Sequence, residues 1–379
     1  MATNGGLNIV KDGLVFYYDT VNTKSYKGEP TVNILPENKI LLTSYNDHGG
    51  THVTDTSFKL FGNATLKTTS NPAHDWNGVY ITGMSSLLTV GLTYTYSFYI
   101  YFTSNDTSIT YFGYGAPGFT GVQGQWNRVS TTFVATSQDH IYVCLKYSLN
   151  QPVTTYYLAN LQIEQKSHTT AFTTGNRTNT NSLVSLVSNP VSNVTIDVTN
   201  VSFNSNSEIT FDGTNDIIIL GTGNTFFPLY NFTLEVWIKS PSMGSGMSEG
   251  GIFGVTYGLR NFIQTDGSLY FGLYNTSNST WYGLSSTGVN LFSNTWTHVV
   301  CTNNGTTSTI YINGVSNNTV SAPWTGTTAW PTDSVVLGRD NNNNVYYFLG
   351  SMQLPKIYNK CLTSTEVLQN YNATKSRFA

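Results

Sequence analysis

Residues 209–220 read ITFDGTNDIIIL, and this stretch decides the fold. Apolar, β-branched runs lie on both sides of the segment DGTND, so two strands are expected there. Gly213 can adopt a positive φ without steric cost, which predicts a tight turn between two edge strands. Short strands and turns of the same kind extend outward from this point in both directions.

Strand-like runs separated by Gly, Asn, Asp and Pro make up most of the chain. They include YTYSFYIYF (residues 94–102), TLEVWIKS (233–240) and THVVCTN (297–303), and YINGV carries the hairpin signal Asn313-Gly314. The clear exception is LTSTEVLQNYNATKS, residues 362–376, where Thr363 and Glu366 have the spacing of a capping box. The sequence therefore predicts an all-β protein of antiparallel β-sandwiches with one short C-terminal helix.

The chain separates into two blocks. The first block, residues 31–174, begins TVNILPENK, and the second runs from residue 175 to the end. A polar, turn-rich segment, TTGNRTNTNSLVSLVSNPVSN (173–193), lies at the junction and favours a crossing between domains. The strand-like stretch DGLVFYYDTVNTKSY (12–26) precedes the first block, and read locally it would be that block's first strand.

The order of motifs in the second block resembles the laminin G-like, concanavalin A-like jelly-roll domain found in bacterial and phage surface proteins. ITFDGTNDIIIL is followed by FTLEVWIKS, SLYFGLYN, THVVCTN, YINGV, SVVLGRD and GSMQLPKIYN. The first block is similar to the jelly rolls of carbohydrate-binding modules in VNILPEN, QWNRVSTTFVA and YYLANLQIEQ. DGLVFYYDTVNTKSY is similar to the opening strand of the laminin G-like domain, although SLVSLVSN departs from the family's usual turn.

These resemblances imply that one jelly roll is inserted into the other. The expected domains are residues 1–30 plus 175–379, a discontinuous laminin G-like sandwich, and residues 31–174, a module-like jelly roll. An insertion at an exposed loop is tolerated when its ends lie close together. Val15 to Tyr18 should then pack in the C-terminal sandwich.

Composition excludes several classes of partner. The formal net charge is −3 and charged residues are 10% of the chain, with no Lys/Arg cluster to hold phosphates, so no nucleic-acid partner is expected. No apolar run is long enough to span a bilayer, so no membrane partner is expected. The opening MATNGGLNIVKDG lacks the apolar core of a signal peptide, which predicts synthesis in a bacterial cytoplasm.

Aromatic residues near turns are candidates for binding glycans. Saccharides stack their apolar faces on aromatic rings, and neutral amide and hydroxyl groups supply the hydrogen bonds. In the second block the candidates are expected in loops rather than strands. Burial in a core or an interface is the alternative for all of them. The candidates are Trp76, Tyr80, Tyr111, Tyr114, Trp281, Tyr282, Trp324 and Trp330.

The resemblance also implies a candidate site for a structural calcium ion, since such jelly rolls often bind one through Asp, Asn and backbone oxygens. The oxygen-rich turn residues are Asp212, Asp216, Asp340 and Asn341, and ordinary Asx turns are the alternative. No other cofactor is expected.

Catalysis is the least favoured function. The concanavalin A-like fold hosts glycoside hydrolases, which need two carboxylates flanking the sugar. On a strand these would be two acidic residues two positions apart, but TLEVWIKS carries Glu235 alone. We therefore expect a protein that is not an enzyme.

Taken together, the resemblance and the low charge predict a bacteriophage virion protein exposed on the particle. Capsid decoration is preferred over a tail or fibre, because no coiled coil or repeated shaft segment is present. Its partners would be other virion proteins in multiple copies, or copies of itself. A receptor-binding adhesin for host surface glycans is the second hypothesis, and a glycoside hydrolase is the remote third.

Overall fold

The computed structural model describes residues 8–187, 196–204, 208–227, 231–275, 278–321, 333–340 and 345–378. The chain divides into two compact units, of which the first is Gly28–Thr178. The second unit consists of Met1–Lys27 together with Asn179–Ala379. Among the described residues, no helix has the length and apolar character needed to cross a membrane.

Antiparallel strands make up most of both units, and the helices are short. The longest helix is α3 (Ser364–Thr374), while α1 (Glu37–Ile40) and α2 (Gly223–Phe226) are single turns, and Met84–Ser86 and Lys375–Arg377 are 3₁₀ turns. In chain order along the described residues, the strands are β1 Leu14–Tyr17, β2 Thr31–Val32, β3 Asn46–Asp47, β4 Thr51–Leu60, β5 Asn63–Thr69, β6 Trp76–Thr82, β7 Thr93–Phe102, β8 Ser108–Gly113, β9 Ala116–Thr120, β10 Trp126–Val134, β11 His140–Tyr147, β12 Thr155–Glu164, β13 Asn176–Arg177, β14 Asp197–Thr199, β15 Ser202–Phe203, β16 Ile209–Asp212, β17 Ile217–Thr222, β18 Asn231–Lys239, β19 Glu249–Val255, β20 Leu259–Gln264, β21 Leu269–Asn275, β22 Thr280–Ser285, β23 Thr297–Asn304, β24 Thr307–Ile312, β25 Val315–Ser321, β26 Ser334–Leu337, β27 Arg339–Asp340, β28 Val345–Tyr347 and β29 Leu349–Tyr358.

The first unit is a sandwich of two antiparallel sheets. One sheet has the strand order β10-β7-β12-β5-β4 and the other has β3-β6-β11-β8-β9. Alternate residues of β7, namely Tyr96, Phe98 and Ile100, are fully buried, and they share a core with Ile141 and Val143 of β11. Burial alternates only towards the end of the strand, where Tyr99 and Tyr101 are half-buried, since Thr95 and Ser97 are buried as well.

The second unit is a larger antiparallel sandwich. Its sheets have the orders β15-β16-β29-β18-β23-β24-β25 and β14-β17-β26-β19-β20-β21-β22. β1 also belongs to the first of these sheets, where it pairs with β29. Phe16 lies opposite Ile357, and Phe16 and Tyr18 are fully buried in the core of this unit. The prediction that Val15 to Tyr18 pack in the C-terminal sandwich agrees with this pairing.

The ends of the first unit lie a few residues outside the expected bounds of 31 and 174. β13 pairs with β2, so that Arg177 lies opposite Thr31. Arg177 also donates through Nε to the Glu29 carbonyl at 2.7 Å and through Nη2 to the Ala171 carbonyl at 2.9 Å. These contacts tie both ends of the segment to one unit and hold them close together, as an inserted domain requires.

The turn in ITFDGTNDIIIL differs from the sequence prediction. Gly213 has φ +76° as expected, and Asp212 Oδ1 accepts a hydrogen bond from Thr214 N at 2.7 Å. However, β16 lies between β15 and β29 in one sheet, while β17 lies between β14 and β26 in the other. The turn therefore connects the two layers of the sandwich through interior strands, and the prediction of edge strands was wrong. The YINGV hairpin is confirmed, with Ile312 opposite Val315.

The C-terminal helix is also confirmed. Thr363 is the N-cap of α3 and forms a complete capping box with Glu366. The buried side of the helix includes Val367, which joins Val300 and Tyr358 in a small apolar cluster. This cluster attaches α3 to the second unit.

A buried polar network lies between α3 and the strands of the second unit. The side chains of Glu235, His298 and Lys356 have no solvent exposure. Glu235 Oε1 accepts from Lys356 Nζ at 2.6 Å and lies 3.1 Å from His298 Nε2, while Oε2 accepts from Asn370 Nδ2 at 2.6 Å. Burial alone would raise the pKa of the Glu235 carboxyl, but Lys356 and His298 outweigh it and lower the pKa to about 2. Glu235 is thus an ionised structural group on which α3, β23 and β29 converge.

Candidate functional site

Aromatic and imidazole side chains gather on the solvent face of the sheet β3-β6-β11-β8-β9 in the first unit. They line two contiguous cavities of about 390 and 310 Å³, which share His48 and Tyr142 and together form what we call the aromatic groove. The larger cavity is also lined by Asp47, Tyr80 and His140. The smaller cavity is also lined by Trp76, Tyr111, Gly115 and Leu145.

A β-bulge in β11 places residues of opposite parity on this face. Tyr142 lies opposite Tyr80 and Tyr147 lies opposite Trp76, although they are five positions apart in one strand. The register shifts between Tyr142 and Cys144, and Val143 and Cys144 are both buried in the core. The extra residue restores the alternation, so both tyrosines stand on the solvent face.

Gly78 allows the strands to approach at the bulge. Its φ is +149°, and a Cβ there would lie 1.9 Å from the Cys144 carbonyl oxygen. Its carbonyl accepts from His48 N at 2.9 Å, and its amide donates to the Gly49 carbonyl at 3.1 Å. These two hydrogen bonds bring His48 against the middle of β6, between the positions of Trp76 and Tyr80.

Asp47 forms the polar edge of the groove. Its side chain is 59% exposed, yet Oδ1 is fixed by Gly49 N at 2.7 Å and by His52 Nε2 at 3.1 Å. The other ring nitrogen of His52 contacts Thr68 Oγ1 at 3.1 Å. Asp47 is therefore an exposed hydrogen-bond acceptor held in place by its neighbours. His52 itself lies on β4.

The rings of the groove are close together but not parallel. The centroids of Trp76 and Tyr111 are 5.4 Å apart with planes at 42°, and those of Trp76 and Tyr147 are 5.5 Å apart at 77°. Tyr142 is tilted by 63° from Tyr80 and by 71° from His140. Successive parts of the groove consequently present ring faces in different directions.

The structure brings together some of the glycan-binding candidates. Trp76, Tyr80 and Tyr111 line the groove. Tyr114 does not, because its ring stacks on Phe133 at 4.5 Å and its hydroxyl donates to the Gln138 carbonyl at 2.9 Å. Tyr114 has a packing role in the first unit.

The candidates of the second unit are placed differently from the prediction. Trp281 and Tyr282 lie in the strand β22, not in a loop, so that part of the prediction was wrong. Trp281 packs on Tyr274 at 5.1 Å and lies 5.7 Å from the Arg260 guanidinium. Asn278 Nδ2 donates to the Tyr282 hydroxyl at 2.8 Å. Trp324 and Trp330 fall outside the described residues.

The candidate calcium ligands have other partners in the structure. Asp216 Oδ2 accepts from Asp212 N at 2.8 Å, and burial raises the pKa of Asp216 to about 6. Asp340 is fully buried and accepts from Arg260 Nε at 2.6 Å. Asn341 lies outside the described residues. Within the part of the chain that the structure describes, no group of three or more His, Cys, Asp or Glu side chains is placed to hold a metal.

Sequence reasoning missed half of the groove. His48, His140 and Tyr142 line the groove but were not singled out as glycan-binding residues. The same is true of Tyr147, which packs on Trp76 beside the groove. The stretch HIYVCLKY, residues 140–147, has polar and aromatic residues at each end, and this is the sequence feature that could have indicated them. The bulge that unites these residues has no reliable sequence pattern.

Residues 211–368 match the laminin G-like family model described as the concanavalin A-like lectin/glucanases superfamily. The matched segment lies within the second unit, and the match does not extend to residues 28–178. The jelly-roll fold predicted from the sequence is confirmed. No curated protein matches the chain.

Several solved structures are similar to part of the chain. The binding domain of Paraclostridial mosquitocidal protein 1 is 19% identical, with 46% of this chain and 45% of that chain covered and a TM-score of 0.39. The receptor binding domain of botulinum neurotoxin D is 21% identical, with 52% and 51% covered and a TM-score of 0.41. The serotype D ligand binding domain in complex with N-acetylneuraminic acid is 21% identical, with 52% and 49% covered and a TM-score of 0.38. The match spans about half the length of each of these structures.

Proposed function

We propose that this chain is a non-enzymatic saccharide-binding protein and that the aromatic groove of the first unit is its binding site. The observation that carries the proposal is the set of tilted, solvent-facing rings, Trp76, Tyr80, Tyr111 and Tyr142, along two contiguous cavities. Concave sites lined by aromatic residues with a few placed polar groups are typical of ligand binding.

The groove supplies both kinds of contact that a pyranose needs. Its C–H faces pack on aromatic rings, and its hydroxyls need hydrogen-bond donors and acceptors. Asp47 is a fixed acceptor, and the imidazoles of His48 and His140 lie in the same cavity. Tyr111 is 42% exposed, so its ring is accessible to a ligand without rearrangement.

Neither the aromatic groove nor the cluster around Arg260 in the second unit presents the pair of carboxylates that a glycoside hydrolase needs among the described residues. Asp47 is the sole carboxylate among the described residues lining the groove. In the second unit, Glu249 and Asp340 both bind Arg260, and burial raises the pKa of Glu249, as a general acid would require. However, Asp340 is fully buried, so it cannot act on a sugar from the opposite side. Glu235 is buried as well.

Substitution of Trp76 by alanine is expected to weaken saccharide binding by about 30-fold, because truncating a central aromatic anchor costs about 2 kcal/mol. The measurement is a titration of the full chain with the best ligand from a glycan array. Trp281→Ala is the matched control, since it removes a half-buried strand tryptophan of the second unit. Equal loss in both variants, or no saccharide binding by the wild type, would contradict the proposal.

We further propose that the chain is displayed on the surface of a bacteriophage particle, as a capsid decoration protein or alternatively on the tail or a fibre. Support comes from the laminin G-like resemblance and from the low share of charged residues, 10% of the chain. Antibody against the chain is expected to label purified particles at regular positions, and the labelled position would separate capsid from tail. Particles that lack the chain would rule this role out.

A further inference from the structure

We infer that the aromatic groove binds a linear, neutral oligosaccharide of at least two rings and selects against acidic saccharides. This inference rests on the proposed function and names the class of ligand that the same site takes. Three observations carry it: the division of the groove, the tilt of its rings and the charge of its lining.

The groove is divided into two cavities of different character. The smaller one, of about 310 Å³, is bounded mainly by Trp76, Tyr111 and Leu145. The larger one, of about 390 Å³, adds the polar side chains Asp47 and His140. His48 and Tyr142 belong to both, so the cavities are adjacent parts of one channel. A single sugar ring would leave one of them empty.

The length of the groove agrees with this division. Trp76 and Tyr80 lie four residues apart on β6, which corresponds to about 13 Å along an extended strand. This distance exceeds the length of one pyranose ring. A ligand that contacts both side chains is therefore a chain of rings running along β6 and β11.

The tilt of the rings favours a saccharide over a flat aromatic ligand. A flat ligand stacks best where the neighbouring aromatic planes are parallel. Here Trp76 and Tyr111 are inclined by 42°, and Tyr80 and Tyr142 by 63°. Successive pyranose rings in a linear glycan can rotate about their glycosidic bonds, so each ring can face a different aromatic plane.

The charge of the lining sets the class of sugar. The described residues that line either cavity include no Lys or Arg, so the basic side chains there are the imidazoles of His48 and His140. The carboxylate of Asp47 is 59% exposed. An acidic saccharide depends on cationic partners or convergent donors for its carboxylate. Its carboxylate would instead share the groove with that of Asp47, and like charges repel each other. Neutral hexoses and N-acetylated hexosamines avoid this repulsion.

The test is a glycan array followed by titration of the full chain with matched probes. The pairs are lactose with 3′-sialyllactose, and neutral glucan, mannan and N-acetylglucosamine oligomers with polyuronate oligomers. Neutral probes are expected to bind at least about 5-fold more tightly than their acidic counterparts. Affinity is expected to rise from the monosaccharide to the oligosaccharide, because only the longer chain fills both cavities.

Asp47→Asn tests the origin of the selectivity. It keeps the shape of the side chain and removes the charge, so the preference for neutral over acidic probes is expected to fall by about 5-fold. Asp55→Asn is the control, since Asp55 is an aspartate on β4 that does not line the groove. An unchanged preference in Asp47→Asn would overturn the assigned origin.

The possible failures are distinguishable. Tightest binding to acidic oligosaccharides, or a monosaccharide that binds as tightly as its oligomers, would overturn this inference and leave saccharide binding intact. Binding to none of the probes would overturn the proposed function and this inference together.

Discussion

Glu235→Gln is expected to destabilise the second unit by about 3 kcal/mol at pH 7, because removing one partner of a buried ion pair leaves the other charge uncompensated. The substitution keeps the volume of the side chain, so packing around α3 is retained. What changes is the charge opposite Lys356, which has no solvent exposure. The new amide also places a donor next to either Lys356 Nζ or Asn370 Nδ2, both of which are donors themselves.

Hydrogen exchange measures this effect in the full chain, because two units need not unfold in one transition. Peptides covering β18 and β29 should exchange faster in the variant. The double variant Glu235→Gln/Lys356→Met removes both charges, and it should be less destabilised than the single changes would predict by addition. Asp12→Asn is the control: Asp12 pairs with Lys360 but is 84% exposed, and such pairs contribute at most about 1 kcal/mol.

The pH dependence of stability independently tests whether the charge of Glu235 stabilises the second unit. The pKa of Glu235 is lowered in the fold to about 2, so its ionisation stabilises the second unit above pH 4.5, the ordinary value, and this contribution disappears as pH falls towards 2. The pKa of His298 is lowered in the fold as well, in this case by burial, so the stability of the second unit also falls as pH drops below 6.5, the ordinary value. The gap in stability between wild type and Glu235→Gln should therefore narrow below pH 4.5. A gap that stays constant down to pH 2 would show that Glu235 acts through packing alone.

Much of the fold was predictable because the signals are local. The hairpin at Asn313-Gly314 and the capping box of Thr363 and Glu366 depend on residues within four positions of each other. The place of β1 in the second unit was predictable for a different reason, because DGLVFYYDTVNTKSY resembles the opening strand of the laminin G-like domain. That resemblance did not identify its partner β29. The turn at Gly213 was predicted, but the strands that pair with β16 and β17 on either side of it were not. Strand order depends on contacts between residues far apart in sequence.

The site was predictable only in part. Trp76, Tyr80 and Tyr111 were found because aromatic residues beside turn residues stand out in a sequence. Tyr142 and Tyr147 were missed because strict alternation along β11 would place them on opposite faces. Asp340 was assigned to a turn, whereas its long-range partner Arg260 makes it part of a buried ion pair. Both errors arise from contacts that no window of neighbouring residues contains.

Gly78→Ala is expected to destabilise the first unit by about 3 kcal/mol or more, through the clash of a methyl group with fixed backbone and through the cost of its positive φ. The added Cβ would lie 1.9 Å from the Cys144 carbonyl oxygen and 2.9 Å from its carbon. These atoms belong to the bulge of β11, so they cannot move without changing its register. Hydrogen exchange of β6 and β11 should rise, and saccharide binding should fall with it.

Gly62→Ala is the comparison variant. Gly62 also has a positive φ, +84°, but a Cβ there would meet nothing within 4 Å, so its cost is expected to be about 1 kcal/mol. The excess in Gly78→Ala then measures the close approach of β6 to the bulge together with the greater backbone cost of φ +149°. Equal costs in the two variants would mean that the strands do not approach this closely at Gly78. In that case the bulge could not hold Tyr142 and Tyr147 on one face, and the aromatic groove would lose its structural basis.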